Sequence, residues 1–267
     1  MSRYLDQPRE VGIETFSKCN ADCVFCPYST LERIDNKMTW DLLDKIIDEM
    51  SQWEVPFFFT PLKVNEPLLD KRLFDIIKKV TDNTLAVIRL FSNGSALTPK
   101  IMKQIGQVER MPQLNISLNE YRPEEYKNLM KMDFEHTARN LDRLHTSKPS
   151  YQVILSTVGF PNEDFRKYCF GRWPDFDSVA IRDSGWLGLT EAAVSQVPDS
   201  SCGRWWEMSI MSTGVASLCC MDGEGQYGFG DVNKETLLEI YGKSRKWREN
   251  GSRSRHDAGD PCDRCWN

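Results

Sequence analysis

No stretch of this 267-residue chain approaches the roughly 18 uninterrupted apolar residues that a membrane-spanning helix requires. The opening segment, MSRYLDQPREVGIETF, also lacks the apolar core of a secretory signal peptide. Positive charge is not in excess. The 34 lysines and arginines face 39 acidic residues, a formal charge of −5 that argues against a phosphate-backbone partner such as nucleic acid. The local exception is the basic run at 243–256, KSRKWRENGSRSRH, which reads as a solvated helix and loop. With those classes set aside, 40% hydrophobic and 27% charged residues describe an ordinary globular protein, expected in the cytoplasm. Its length allows one sizeable core, or one core plus a small appendage.

Cysteine is what the chain has in quantity. Nine of them in a compartment that keeps thiols reduced point to metal or redox chemistry rather than disulfides. Cys19, Cys23 and Cys26 come early; Cys202, Cys219, Cys220, Cys262 and Cys265 come late, so two metal sites are expected. Cys169 stands apart among aromatic neighbours and is expected to be a buried core thiol. The early group, KCNADCVFCP at 18–27, offers three thiols where a zinc ion or an iron–sulfur cube wants four ligands. Held by three corners, a [4Fe–4S] cube keeps one iron open to a small molecule, as a catalytic site does and a structural site does not. The alternative is a zinc knuckle with a distant fourth ligand, for which this spacing is unusual.

Apolar runs alternate with amphipathic segments along the chain. VGIETF (11–16), VPFFFTPL (55–62), LAVIRLF (85–91), LNISL (114–118), YQVILSTV (151–158) and SVAIRD (178–183) read as strands. Between them, Thr39 is placed to cap a helix with Leu42, Leu43, Ile46, Ile47 and Met50 on one face, and Thr98 before Pro99 opens another. Near-continuous apolar strands covered by helices imply a parallel sheet. The expected fold is α/β, a partial (β/α)6 TIM-like barrel or an open sheet, with the functional face at the carboxyl ends of the strands. The cysteine loop follows the first strand directly and lands on that face. Past residue 185 the pattern changes to a hairpin turning at Thr213 and Gly214, one amphipathic helix over NKETLLEIYGKSRKWR, and a closing DPCDRC. The expected division is 1–185 for the barrel and 186–267 for a small hairpin-and-helix domain whose folding a metal would support.

The segment CNADCVFCP after a strand closely resembles the cysteine loop of the radical S-adenosylmethionine enzymes. The resemblance implies that the amino and carboxylate groups of S-adenosylmethionine chelate the fourth iron. It further implies that reduction of the cluster cleaves this cofactor to a 5′-deoxyadenosyl radical. Phe25 would then sit near the adenine. NEPLLD (65–70) resembles the family's Gly-Gly-Glu-Pro segment, so Glu66 would accept from the methionine ammonium. Val64 and Asn65 replace both glycines, a departure that bears on how closely the backbone approaches there. SNGSALT (92–98), with Ser92 and Asn93, resembles the Thr-Asn-Gly segment; SLN (117–119), with Ser117 and Asn119, matches the position where ribose hydroxyls are held.

The tail resembles the shortened auxiliary-cluster domain called Twitch, a reduced form of SPASM. That implies a second, fully ligated [4Fe–4S] cluster on Cys202, Cys219, Cys262 and Cys265. Cys220 is the alternative to Cys219, since neighbours on a strand face opposite ways. A structural zinc is the competing reading of the tail.

The family implies hydrogen abstraction from an unactivated C–H bond, chemistry the cofactor supplies and the protein positions and shields. A closed auxiliary cluster implies electron transfer, and one Twitch relative, an aminocyclitol dehydrogenase, oxidises its substrate radical to a ketone. The expected substrate is therefore a small sugar or aminocyclitol-like molecule, in keeping with the absence of an extra N-terminal leader-binding module. The alternatives are a maturase that epimerises or cross-links a ribosomal peptide, and a non-catalytic iron–sulfur or zinc scaffold. An electron donor such as flavodoxin or ferredoxin is implied. Arg182 and Asp183, ending the sixth strand, and Asp222 are candidates for substrate contact or proton removal, with surface salt-bridging as the plainer role. Glu14 is expected either to face the barrel interior or to be a structural carboxylate. His136 and His145 are expected to be solvated, and Trp205 and Trp206 to pack the tail on the barrel.

Overall fold

The computed structural model describes residues 4–159, 161–181, 185–190, 197–249 and 254–265. Six strands lie parallel in chain order: β1 (Glu10–Ile13), β2 (Phe57–Thr60), β3 (Ala86–Ser92), β4 (Gln113–Ser117), β5 (Gln152–Val158) and β6 (Asp177–Ile181). Parallel neighbours need crossovers, and helices supply them. These are α1 (Trp40–Ser51), α2 (Leu73–Asn83), α3 (Pro99–Ile105), the pair α4 (Pro123–Met130) and α5 (Phe134–Thr146), and α6 (Glu163–Arg172). Among the described residues the sheet does not close, so the architecture is the partial barrel that the alternation of runs implies.

Local chemistry fixes each crossover. The Thr39 hydroxyl accepts from the Leu42 N–H at 3.2 Å, satisfying an orphan donor at the start of α1. Leu42, Leu43, Ile46, Ile47 and Met50, spaced to share one face, are buried in the main core. Thr98 caps α3 in the same way, with Pro99 in its first turn. Cys169 of α6 is fully buried in that core, as expected of an unliganded thiol.

The tail does not stand apart. β7 (Glu207–Ile210) lies beside β1 and parallel to it, Glu10 opposite Glu207. β8 (Val215–Ser217) returns antiparallel, and a two-residue β9 (Gly230–Asp231) follows, so one nine-stranded sheet runs β6-β5-β4-β3-β2-β1-β7-β8-β9. The turn falls at Gly214, whose φ is +93° and where a Cβ would stand 2.3 Å from the Asn233 side chain.

Two expectations for the tail are corrected. The single helix over 233–248 is broken into α7 (Leu237–Gly242) and α8 (Arg245–Glu249). Arg248 explains the break, since its guanidinium donates to the Tyr241 carbonyl at 2.7 Å and lies over the Tyr241 ring. The basic run is likewise not all solvated: Arg248 and Arg255, the latter opening α9 (Arg255–Ala258), are 3% and 7% exposed. Carbonyls that capture a guanidinium leave no mark in composition. Cys202, Trp205 and Trp206 form a second small core with Tyr4 and Trp247. No helix among the described residues is long and apolar enough to cross a membrane.

Candidate active site and auxiliary cysteine site

Four consecutive strands deliver their loops to one edge of the sheet. The loop after β1 brings Cys19, Cys23, Phe25 and Cys26, that after β2 Glu66, the end of β3 Ser92 and Asn93, and the end of β4 Ser117 and Asn119. All nine residues line one cavity of about 230 Å³.

Hydrogen bonds lace these loops together. Glu66, 3% exposed, accepts from the Asn93 N–H at 2.6 Å and the Leu68 N–H at 3.1 Å, and its own N–H donates to the Lys18 carbonyl at 2.8 Å. The Asn93 amide donates to Asn20, inside the cysteine loop, at 2.9 Å. Burial pushes the Glu66 carboxyl up to about 7 despite those donors, so the site favours an arriving cationic group that shares its charge. Where the family's glycines stand, the Asn65 side chain accepts from the Lys63 N–H at 2.8 Å and closes the loop. Asn119, in left-handed backbone at φ +65°, accepts from the Val158 N–H at 3.0 Å, so part of its amide holds the β5 end in place.

The thiols are costly to ionise as they stand. Burial raises Cys19 to about 11, Cys26 to about 12 and Cys23 further, with the neighbouring thiols adding to the last. A cationic iron–sulfur core removes that cost by taking them as thiolates, so the donor set fits a cluster.

The second group of cysteines converges although the sequence scatters it. Cys202, Cys219, Cys262 and Cys265 line one cavity with Arg204, Trp205 and Arg255. Cys220 is absent from that lining and borders, together with Cys219, a different cavity that also holds Glu10 and Glu207. Burial raises Cys219 well above the ordinary thiol value and Cys262 to about 11. Arg255 donates to the Cys265 carbonyl at 3.2 Å, and its Nε is buried with no partner among the described residues. Four thiols beside an underused guanidinium fit an anionic thiolate cluster.

Between the two sites lies a third cavity of about 170 Å³. Lys63, Trp186 and Arg204 border both it and the first. In its wall, Glu10 accepts from Thr60 and Arg89, both at 2.7 Å, and Glu207 accepts from Arg9 and Arg204, both at 2.9 Å. Lys63, Arg204, Arg255 and Trp186 escape a sequence reading. Lys63 directly follows an apolar run read as a strand, and Arg204 comes two residues after a cysteine, with no spacing rule to mark either.

Other candidates fall elsewhere. Arg182 and Asp183 lie outside the described residues, although Ile181 before them lines the first cavity. Asp222 is no substrate contact: 3% exposed, it accepts from the N–H groups of Leu218, Gln226 and Tyr227 and orders the loop behind Cys220. Glu14 is a structural carboxylate, accepting from Arg33 at 3.1 Å and the Ser212 hydroxyl at 3.2 Å. His136 is exposed, whereas His145 is half-buried 3.1 Å from Asp175.

Six parallel strands carrying three thiols and a buried carboxylate at their carboxyl ends, with four more thiols gathered in the tail, define an iron–sulfur protein of the partial-barrel class. The Radical SAM superfamily model matches residues 13–168, and the chain belongs to that family. A second model, SPASM, an iron–sulfur cluster-binding domain, matches residues 202–266. With them come a [4Fe–4S] cluster, S-adenosylmethionine and an auxiliary iron–sulfur cluster. Among solved structures, BtrN in complex with AdoMet and 2-DOIA is similar at TM-score 0.69 and 16% identity, over 97% of this chain and 93% of that one. Streptococcus suis SuiB bound to precursor peptide SuiA is similar at TM-score 0.67 and 12% identity, over 88% of this chain and 64% of SuiB. The anSMEcpe protein with bound AdoMet gives TM-score 0.66 and 12% identity, over 90% and 79%. At these identities the likeness concerns the fold. A tungsten-containing aldehyde ferredoxin oxidoreductase cofactor-modifying protein of Pyrococcus furiosus is 25% identical over 96 residues, which span 36% of this chain and 27% of that relative.

Proposed function

We propose that the protein is an oxidoreductase that removes hydrogen from a small sugar or aminocyclitol-like substrate, with the auxiliary cluster taking up an electron. The bound cofactors supply one-electron cleavage and hydrogen-atom abstraction, and the chain binds, orients and excludes water. In this reading Cys19, Cys23 and Cys26 hold the first cluster, and Glu66 receives the S-adenosylmethionine ammonium with its oxygens aimed by the Asn93 and Leu68 N–H groups. Phe25 flanks the adenine, while Ser92, Asn93, Ser117 and Asn119 surround the rest of the cofactor. Cys202, Cys219, Cys262 and Cys265 hold the auxiliary cluster. Arg182 and Asp183, following cavity-lining Ile181, contact substrate or take its proton. A flavodoxin or ferredoxin of the cytoplasm supplies the electron for cleavage.

One observation supports the substrate class. The third cavity is small and sets the carboxylates of Glu10 and Glu207 and the Arg204 guanidinium beside Trp186 and Phe91. Hydroxyl groups both donate and accept, so they match carboxylate lone pairs and guanidinium N–H groups together. The C–H face of a sugar-like ring suits the aromatic wall. A cavity of this volume takes one small ring more readily than a peptide segment.

The test is oxygen-free incubation of iron-loaded protein with dithionite, S-adenosylmethionine and panels of ring-deuterated cyclitols and sugars or short peptides. Deuterium transfer to 5′-deoxyadenosine from a ring substrate is the expected outcome. Transfer from peptides alone would select the maturase reading, and a zinc-bound protein without cleavage the scaffold.

A further inference from the structure

The segment 61–66 touches both cysteine sites. Glu66, at its end, faces the first. Lys63, three residues earlier, borders the first and third cavities and reaches the second site through the Cys219 carbonyl. Lys63 is 5% exposed, and its ammonium donates to the Ser217 hydroxyl at 2.7 Å, the Ser209 hydroxyl at 3.2 Å and the Cys219 carbonyl at 3.3 Å. An ammonium has three N–H donors, and here each has a neutral acceptor. Among the described residues no carboxylate pairs with it within salt-bridge distance. A cation housed this way is expensive unless something anionic is nearby.

Arg255 repeats the arrangement from the tail. It is 7% exposed, donates to the carbonyl of another auxiliary cysteine, Cys265, and keeps a buried Nε without a partner among the described residues. Two buried cations from distant parts of the chain thus each hold the backbone of one auxiliary cysteine. Neither is explained by the packing of neutral thiols.

We propose that Lys63 and Arg255 are positioning cations that raise the reduction potential of the auxiliary cluster and so fit it to accept an electron. The inference rests on the reading that Cys219 and Cys265 are cluster ligands. A cluster held by four thiolates is anionic, and reduction adds one more negative charge. Fixed positive charge in a low-dielectric surround stabilises the reduced form more than the oxidised form, which raises the potential. Hydrogen bonds to the ligands' own carbonyls hold the cations at constant range, a role of the supporting shell around a metal site. One electron enters the cluster per event, supplied by the substrate-derived radical in the proposed dehydrogenation and by dithionite in the test. Because Lys63 and Glu66 share one loop, the segment that receives S-adenosylmethionine also sets the acceptor.

The test is a redox titration of the auxiliary cluster, followed by electron paramagnetic resonance in full-length, oxygen-free protein carrying Cys23→Ala to silence the first cluster. Lys63→Met and Arg255→Gln should each lower the reduction equilibrium at least tenfold, 59 mV for a one-electron couple. Lys63→Arg, which keeps the charge, should stay near the parent value. Should Lys63→Met fail to assemble the cluster, Lys63→Gln removes the charge while keeping donors for Ser217 and the Cys219 carbonyl. Cluster-replete neutral variants with the parent potential would overturn the proposal. Cys219→Ala, run alongside, isolates the premise: retention of the auxiliary signal there would reject the ligand assignment itself, whatever the potentials show.

Discussion

The two cysteine sites of this protein are built in opposite ways. The first takes its thiols from residues 19–26, on one loop, and borrows no thiol from the next three strand ends, whose polar partners are Glu66, Ser92, Asn93, Ser117 and Asn119. The second gathers four thiols from positions 202–265, on a turn, past a hairpin strand and at the terminal turn. A loop behind a parallel strand is fixed by the sheet alone, because every such loop emerges at the same edge. The tail gains its anchorage from β7, which pairs with β1, and from buried Arg248, which ties α8 to Leu5, Trp205 and Tyr241. Local spacing makes the first site; long-range packing makes the second.

The largest effects should separate the sites completely. Cys23→Ala is expected to halve the iron content and abolish S-adenosylmethionine cleavage while leaving the auxiliary signal. Cys219→Ala should do the reverse, keeping cleavage to 5′-deoxyadenosine but losing substrate oxidation. Cys220→Ala should retain both signals, and loss of the auxiliary one would move the ligand to that position.

Glu14 joins the two regions, since it sits after β1 yet holds Ser212 behind β7 as well as Arg33. Its side chain is fully buried and that of Arg33 is 9% exposed. Removing one partner of a buried pair strands the other, so Glu14→Ala should cost about 3 kcal/mol in a denaturant titration. A cost under about 1 kcal/mol would mean the tail is held without this tie.

Glu66 gives a smaller effect confined to the first site. Its carboxyl sits near 7, raised by burial from the ordinary value of 4.5, so it is protonated below that pH and gains its charge as pH rises through it. S-adenosylmethionine affinity should therefore strengthen by up to ~10-fold between pH 6 and 8. Glu66→Gln should weaken binding and flatten that dependence, measured by equilibrium dialysis of cluster-loaded protein. Smallest of all, Thr39→Ala removes the α1 cap and should cost about 1 kcal/mol without altering either cluster.

Much of the first region was legible because its determinants are local. The apolar runs became β1 to β6 with shifts of a residue or two at most ends, and the buried face of α1 is the one that its spacing specifies. Cys19, Glu66, Asn93 and Asn119 meet in one cavity, as their order behind successive strands implies. In the tail, the turn at Gly214 could be read, but the partner of the strand before it could not. Glu207–Ile210, EMSI, is a four-residue segment that names no neighbour, and its pairing with β1 depends on the register of both strands. The split between α7 and α8 and the burial of Arg248 and Arg255 were hidden for the same reason.

By itself, then, the sequence determined the chemistry of the three-thiol loop, the parallel alternation and the helix caps, all of which depend on residues within a few positions of one another. Only the tertiary structure decided that Cys219 rather than Cys220 joins Cys202, Cys262 and Cys265 in one cavity, and that Lys63 and Arg204 stand between the two sites. Those outcomes turn on which carbonyls, carboxylates and thiols are brought out of water together, and that is settled when distant segments pack.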